Sequence, residues 1–215
     1  MAIYEPVTEH VGPRRKLRVR SPVTLEPIGE FEVSTRADVD AALERARKAQ
    51  IDWAALPVER RARYMDRLLE VLLAREAEIL AVVERETGKP RNEALAMEVF
   101  SPADSIVYYR KYASKWLRPD KPRVHGILRL TKQLRIVYKP LGVVGIITPW
   151  NGPVVLAINP AVQALLAGNA VIIKPSEVTP FCGQLVGRLF AEAGFPDGLV
   201  QVLLGDGETS RALIE

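Results

Sequence analysis

The 215-residue sequence is poor in cysteine and histidine and has no long uninterrupted apolar run. Its only cysteine, Cys182, excludes an intramolecular disulfide, which favours a reducing compartment. His10 and His125 have no partners at metal-ligand spacing, so no metal site is predicted. The most apolar region, residues 141–173, is interrupted by asparagine and proline, whereas a membrane span needs about 20 mainly apolar residues. Since the N-terminus also lacks the pattern of a signal peptide, we expect a cytoplasmic protein without a membrane partner.

The excess of basic residues is small, with 30 Lys and Arg against 26 Asp and Glu and a net charge of +4. The basic residues are spread along the chain, and acidic residues interleave with them on the predicted helices. This pattern is typical of solvated helix faces rather than of a continuous phosphate-binding stripe. We therefore do not expect a nucleic-acid partner.

Residues 1–121 are predicted to contain a hairpin followed by helices. Prolines and a glycine mark turns in a hairpin over residues 17–33. Thr35 and Asp38 have the spacing of a capping box, which predicts that the first helix starts there. Further helices are expected after Pro57, over residues 76–86 with a stop at Gly88, and over residues 92–116.

Residues 122–140 form a separate unit in this interpretation. Leu128 and Leu130 alternate with polar residues, and residues 134–139 continue the alternation, which predicts two half-exposed strands over residues 127–139. The residues alone do not distinguish a solvent-facing hairpin that packs on its own core from an arm that pairs with another subunit.

Residues 141–215 alternate between strand and helix patterns, which predicts right-handed crossovers and a parallel sheet. Strands are expected at residues 143–147, 170–173 and 199–204. Helices are expected at residues 153–166, after a cap at Thr179, and near Glu208. The fold class is therefore α/β, with N-terminal helices and an incomplete Rossmann-like βαβαβ unit.

Polar side chains follow the first two strands of this unit. Pro149-Trp150-Asn151-Gly152-Pro153 comes after the first strand, and Lys174-Pro175-Ser176-Glu177 after the second. Ligands of open α/β sheets bind beyond the carboxyl ends of the strands. The amide of Asn151, the ammonium of Lys174 and the carboxylate of Glu177 at neighbouring strand ends could hydrogen-bond to a polar ligand.

These motifs carry a family resemblance. Residues 141–153, LGVVGIITPWNGP, and residues 167–177, AGNAVIIKPSE, resemble two signatures of the NAD(P)-dependent aldehyde dehydrogenase superfamily. Residues 87–90, TGKP, and residues 195–200, FPDGLV, fit the same family in order and spacing. The resemblance runs from about Arg18 to Glu215, and the ordered set is more specific than any single motif.

The resemblance implies roles for individual residues. The amide of Asn151 would donate to the aldehyde oxygen as it becomes anionic, whereas the residues alone also allow Asn151 to cap the following helix. Lys174 and Glu177 would bind the adenosine ribose, and Glu177 would favour NAD over NADP; the alternative is a surface ion pair. Further cofactor contacts are implied at Ile147, Thr148, Pro149, Trp150, Ser176 and Gly207. A dinucleotide-binding fingerprint that begins at Gly205 would have a third glycine at position 210, where Ser210 stands. Many members of the family have a small residue at the position of Arg211.

The family's cysteine nucleophile and glutamate base follow the segment that is matched here. Cys182, at the start of a predicted helix, is interpreted as a packing residue. We therefore expect the N-terminal part of an enzyme that oxidises an aldehyde, and no activity from these 215 residues alone. The alternative is a non-catalytic fragment that associates with a full-length subunit through residues 127–139, the arm that the family uses for homo-oligomers.

Overall fold

An antiparallel sheet and a parallel sheet, each of three strands, are connected by a helical region in the computed structural model, which describes residues 3–7 and 14–215. His10 lies outside the described residues. The antiparallel sheet contains β1 (Tyr4–Pro6), β2 (Lys16–Arg20) and β3 (Pro27–Glu32), in that spatial order. The predicted hairpin is confirmed as β2 and β3, whereas β1 was not predicted because three residues show no periodicity. Leu17, Val19, Phe31 and Val33 form the small core of this sheet.

The helical region begins with the predicted capping box. In α1 (Arg36–Ala55), the hydroxyl of Thr35 accepts from the amide of Asp38, whose carboxylate accepts from the amide of Thr35 at 2.8 Å. Helices α2 (Val58–Ala74) and α3 (Glu76–Thr87) follow. Helix α3 ends at Gly88, whose φ of 69° lies in the left-handed region that glycine adopts without strain.

The helix predicted over residues 92–116 is interrupted by a π-helical segment. The segment Leu95–Phe100 lies between α4 (Arg91–Ala94) and α5 (Ser101–Trp116). A π turn has a wider i→i+5 hydrogen-bond pattern, which rotates the following side chains relative to a regular helix. Glu98 and Val99 are buried, while Phe100 is 68% exposed.

The two strands predicted over residues 127–139 are not formed, so this prediction was wrong for the chain by itself. The segment contains a 3₁₀ turn (Gly126–Leu130) and a single antiparallel bridge between Asp120 and Ile136. A strand persists only where a partner satisfies its backbone donors and acceptors. Among the described residues, only Asp120 offers such pairing.

The predicted parallel sheet is confirmed, with the order β4-β5-β6. Its elements are β4 (Val143–Ile147), α6 (Val155–Leu166), β5 (Ala170–Lys174), α7 (Pro180–Glu192), β6 (Val200–Val202) and α8 (Gly207–Ile214). All five residues of central β5 are buried. Helix α6 begins two residues later than predicted, and β6 is shorter than predicted.

The start of α7 differs from the prediction in its cap. The hydroxyl of Thr179 is buried without a hydrogen-bond partner among the described residues. The amides of Phe181 and Cys182 instead donate to the carboxylate of Glu86 at 2.8 and 2.7 Å. A carboxylate at a helix N-terminus satisfies free amides and complements the helix dipole.

The main core lies between the parallel sheet and the helices that pack on it. Trp53 of α1 is buried, and its indole Nε1 donates to the carbonyl of Leu165 at 2.8 Å. The apolar helix α6 has 12 residues, which is only about 18 Å of length. Within residues 3–7 and 14–215, no helix combines the length and apolarity that crossing a membrane requires.

Candidate active site

The two polar motifs meet at one edge of the parallel sheet. Ile147 pairs in register with Lys174, and the amide of Thr148 donates to the carbonyl of Lys174 at 3.1 Å. The chain leaves β4 towards Asn151 and leaves β5 towards Glu177. Since β4 and β5 are parallel neighbours, both motifs follow the carboxyl end of the sheet, where ligands bind in this architecture.

Asn151 is exposed in the loop between β4 and α6. Its side chain makes no hydrogen bond to the described residues, and its carbonyl accepts from Nζ of Lys89 at 3.0 Å. The position that caps α6 is Val154, and no side chain at that position contributes a cap. The structure therefore gives no support to the helix-cap alternative for Asn151, and it leaves the amide available to a ligand.

The amides that begin α6 are satisfied by a residue that sequence reasoning missed. Oε2 of Glu98 accepts from the amides of Val154 and Val155, both at 3.0 Å. Its Oε1 pairs with Nζ of Lys89. In the sequence, Lys89 belongs to a helix stop and to the TGKP motif, and Glu98 is one residue of a predicted helix. No local pattern links either residue to residues 151–155.

Lys174 and Glu177 form an ion pair at the end of β5. Nζ of Lys174 lies 3.2 Å from Oε2 of Glu177, and the two side chains are 3% and 24% exposed. The surface ion-pair alternative therefore does not describe this lysine, which is buried. A buried ammonium keeps its charge only where carboxylates or other acceptors compensate for lost water.

Tyr4 is a further neighbour of Glu177 that the sequence gave no reason to expect. The negative charge of Glu177, together with burial, raises the pKa of the Tyr4 phenol, which hydrogen-bonds to that carboxylate. Tyr4 comes from β1 in the antiparallel sheet. The carboxylate thus has one contact from each sheet.

The remaining predicted cofactor residues differ in exposure. Ile147, Pro149 and Trp150 are exposed at the end of β4, and Trp150 reaches 57%. Thr148 is buried, and its hydroxyl has no hydrogen-bond partner among the described residues. Ser176 accepts from the amide of Val178 at 3.2 Å, which fixes the turn that carries Glu177.

Gly205 and Gly207 have different structural requirements. A Cβ at Gly205 would lie 2.0 Å from the hydroxyl of Thr209, so glycine is needed there for packing. Gly207 begins α8, and a Cβ there would meet nothing within 4 Å. Only Gly207 therefore leaves open space for a ligand at this helix start.

Cys182 is fully buried in the main core, as the packing interpretation predicts. Burial and then the negative charge of Glu86 raise the pKa of its thiol well above the ordinary value. Because the thiolate is the nucleophilic form, this cysteine is unsuited to attack an aldehyde.

Comparison with known proteins gives consistent matches. The profile of the aldehyde dehydrogenase family matches residues 9–215. A 4,4'-diapolycopene aldehyde oxidase from Methylomonas sp. is 40% identical over 91% of this chain and 37% of its own length. A solved NAD-dependent benzaldehyde dehydrogenase from Corynebacterium glutamicum has a TM-score of 0.85 and 32% identity over 93% of this chain and 44% of its own. A solved NADP dependent enzyme from E. coli has a TM-score of 0.82 and 27% identity over 88% of this chain and 38% of its own length. This chain thus spans about two fifths of the length of the proteins it matches.

Proposed function

Since the chain belongs to the aldehyde dehydrogenase family, we propose that it forms the N-terminal part of an enzyme that oxidises an aldehyde to a carboxylic acid with NAD. The observation that carries the proposal is the arrangement at the carboxyl end of the parallel sheet. There, the exposed Asn151 follows β4 and the Lys174–Glu177 pair follows β5.

Asn151 supplies the transition-state contact in this proposal. When a cysteine thiolate attacks the aldehyde carbon, the carbonyl oxygen becomes anionic and needs a hydrogen-bond donor. The side-chain amide of Asn151 is a donor without a partner in the described chain, so it is available to that oxygen. The nucleophile comes from sequence outside these 215 residues, because Cys182 is buried and its thiol pKa is raised.

The cofactor site is formed by the end of β5 and the start of α8. NAD, when bound, accepts the hydride that leaves the substrate carbon. The ammonium of Lys174 would donate to a ribose hydroxyl, and the carboxylate of Glu177 would accept from the 2′- and 3′-hydroxyls. Ser176 shapes the turn and Gly207 leaves room. The nicotinamide side would be lined, mainly through the backbone, by Ile147, Thr148, Pro149 and Trp150. A 2′-phosphate would place negative charge against Glu177, which favours NAD over NADP.

Residues 127–139 pair with a second subunit in this proposal. In this segment Ile127 is 81% exposed and Leu130 is 75% exposed. The apolar residues nevertheless alternate with polar ones, which is the pattern of a strand with one buried face. The same exposure supports a second candidate, in which the chain is a non-catalytic fragment that binds a full-length subunit. Co-purification with a full-length aldehyde dehydrogenase distinguishes the two.

Substitution of Asn151 tests the proposed chemistry in the full-length enzyme. Asn151→Ala should lower kcat about 100- to 1,000-fold, because an oxyanion donor acts mainly in the transition state. Stopped-flow kinetics should show the loss in the chemical step, while NAD affinity measured by fluorescence titration stays within about twofold.

Asn92→Ala is the matched control, because Asn92 is an exposed amide of α4 whose side chain makes no hydrogen bond to the described residues. It should leave kcat and NAD affinity unchanged. A large loss of NAD affinity in Asn151→Ala, with an unchanged chemical step, would show that Asn151 has a structural role.

A further inference from the structure

Lys89 and Glu98 make hydrogen bonds to the loop that carries Asn151, Lys89 at Asn151 itself and Glu98 where the loop enters α6. Nζ of Lys89 donates to the carbonyl of Asn151 at 3.0 Å and also pairs with Oε1 of Glu98. The other oxygen of Glu98 accepts from the amides of Val154 and Val155. Three charge-assisted hydrogen bonds therefore restrain the backbone at position 151 and at positions 154–155, and the ion pair joins the two side chains that make them.

The backbone of Lys89 is itself constrained. The hydroxyl of Thr87 accepts from the amide of Lys89 at 3.1 Å and donates to the carbonyl of Val83 at 2.7 Å. Lys89 is flanked by the left-handed Gly88 and by Pro90, whose ring restricts φ. The side chain is only 11% exposed, so few other positions are open to its ammonium.

Glu98 lies in the π-helical segment Leu95–Phe100 and contacts the loop from there. The side chain of Glu98 is fully buried, whereas that of the preceding Met97 is exposed. A buried carboxylate is costly unless it is paired and hydrogen-bonded. Here the pairing consists of Lys89 and the first amides of α6, so both partners of the carboxylate belong to the surroundings of Asn151.

We propose that Lys89 and Glu98 are positioning residues that aim the side-chain amide of Asn151 at the substrate oxygen; this inference rests on the proposed oxyanion role of Asn151. The carboxylate of Glu98 caps α6, and its charge is paired with Lys89. The bond from Lys89 to the carbonyl of Asn151 adds nothing to the cap, and it restrains the one residue whose side chain must meet a developing charge. Small displacements of such a donor have large effects on rate.

The test is a double-mutant cycle in the full-length enzyme. Lys89→Met should lower kcat about tenfold or more and leave the dissociation constant for NAD within about twofold. Its effect should disappear in the Asn151→Ala background, where Lys89→Met should change kcat by less than about twofold, because the group it aims is absent.

A second variant covers the risk that Lys89→Met leaves the buried Glu98 unpaired and unfolds the protein. Lys89→Met with Glu98→Gln removes both charges, and the Gln carbonyl can still accept from an amide of α6. This double variant should show the same loss of kcat at temperatures where circular dichroism shows it folded. Arg91→Met is the control, since Arg91 is 60% exposed and, among the described residues, its ion pair is with Glu84 at 3.8 Å.

The outcomes separate the inference from the function on which it rests. If Asn151→Ala lowers kcat but the folded Lys89 variants leave kcat unchanged, or lower it equally with and without Asn151, the positioning role is wrong and the oxyanion role stands. If Asn151→Ala itself leaves kcat unchanged, both are wrong. Loss of kcat confined to the enzymes that retain Asn151, with unchanged NAD affinity, supports the positioning role.

Discussion

At the scale of single residues, the sequence identified the parts of the candidate site that lie close together along the chain. Asn151, Lys174 and Glu177 lie at or shortly after the ends of β4 and β5, so strand periodicity indicated where they lie, and the family resemblance supplied their expected roles. Lys89 lies 62 residues before the carbonyl it contacts, and Tyr4 belongs to the antiparallel sheet, whereas Glu177 lies in the turn after β5 of the parallel sheet. Such contacts depend on how helices and sheets pack, which no local pattern encodes.

Glu177→Gln should raise the use of NADP relative to NAD in the full-length enzyme. The change removes the charge that opposes a 2′-phosphate and keeps most of the shape, so the ratio of kcat/KM for NADP to that for NAD should rise about tenfold. Added salt should reduce the wild-type discrimination, because Glu177 is partly exposed. The measurement is steady-state kinetics with both cofactors at two ionic strengths.

Glu192→Gln is the control for cofactor choice, since Glu192 is an exposed acid at the end of α7 that pairs with Arg75. It should leave the ratio unchanged. A second readout needs only this chain: Glu177→Gln should lower the pKa of Tyr4, whose phenol the carboxylate perturbs, in an ultraviolet titration compared with Tyr4→Phe. An unchanged cofactor ratio in Glu177→Gln would remove Glu177 from the ribose site.

At the scale of elements, helix starts were predictable where the cap lies within the helix's own sequence. The capping box of α1 is formed by Thr35 and Asp38, three residues apart, and the structure confirms it. The cap of α7 is not local, because Glu86 lies 95 residues before Phe181. The π-helical segment was also missed, since it inserts Glu98 into a contact with α6 that periodicity along residues 92–116 does not reveal.

Asp38→Asn should lower the free energy of unfolding by about 1 kcal/mol at neutral pH, the usual size of a capping interaction. Hydrogen bonds from the amide and the hydroxyl of Thr35 are the main causes that lower the pKa of Asp38. A carboxylate with a lowered native pKa stabilises the fold above its unfolded pKa of about 3.9, and this contribution is lost as pH falls through the native pKa. The difference between wild type and Asp38→Asn should therefore shrink below about pH 4, as measured by urea unfolding.

Asp40→Asn is the matched control, because Asp40 lies in the same turn of α1 and, within the described part of the chain, its ion pair with Arg36 is exposed. It should change the free energy of unfolding by less than about 0.5 kcal/mol. A pH-independent difference between wild type and Asp38→Asn would show that the charge of Asp38 contributes nothing to the cap.

At the scale of the whole molecule, the sequence predicted the parallel sheet but not the conformation of residues 127–139. The order β4-β5-β6 follows from alternating strands and helices, because each crossover returns the chain to the same sheet. Residues 127–139 have the alternation of strands without a partner that could complete them inside the described chain. Their pattern is explained if the pairing surface belongs to another subunit.

Self-association through residues 127–139 should depend on the apolar members of the alternation. Leu130→Asp with Leu134→Asp should raise the dissociation constant of the oligomer at least about tenfold, since burial of each leucine contributes about 1.5–3 kcal/mol. Both leucines are exposed in the chain alone, so the melting temperature of the monomer should not fall.

Thr131→Asp with Gln133→Asp adds the same charge to the neighbouring polar positions and should weaken association much less. Analytical ultracentrifugation over a concentration series measures all three proteins. Equal association in the two variants, or a wild-type monomer at every concentration, would exclude residues 127–139 as the interface.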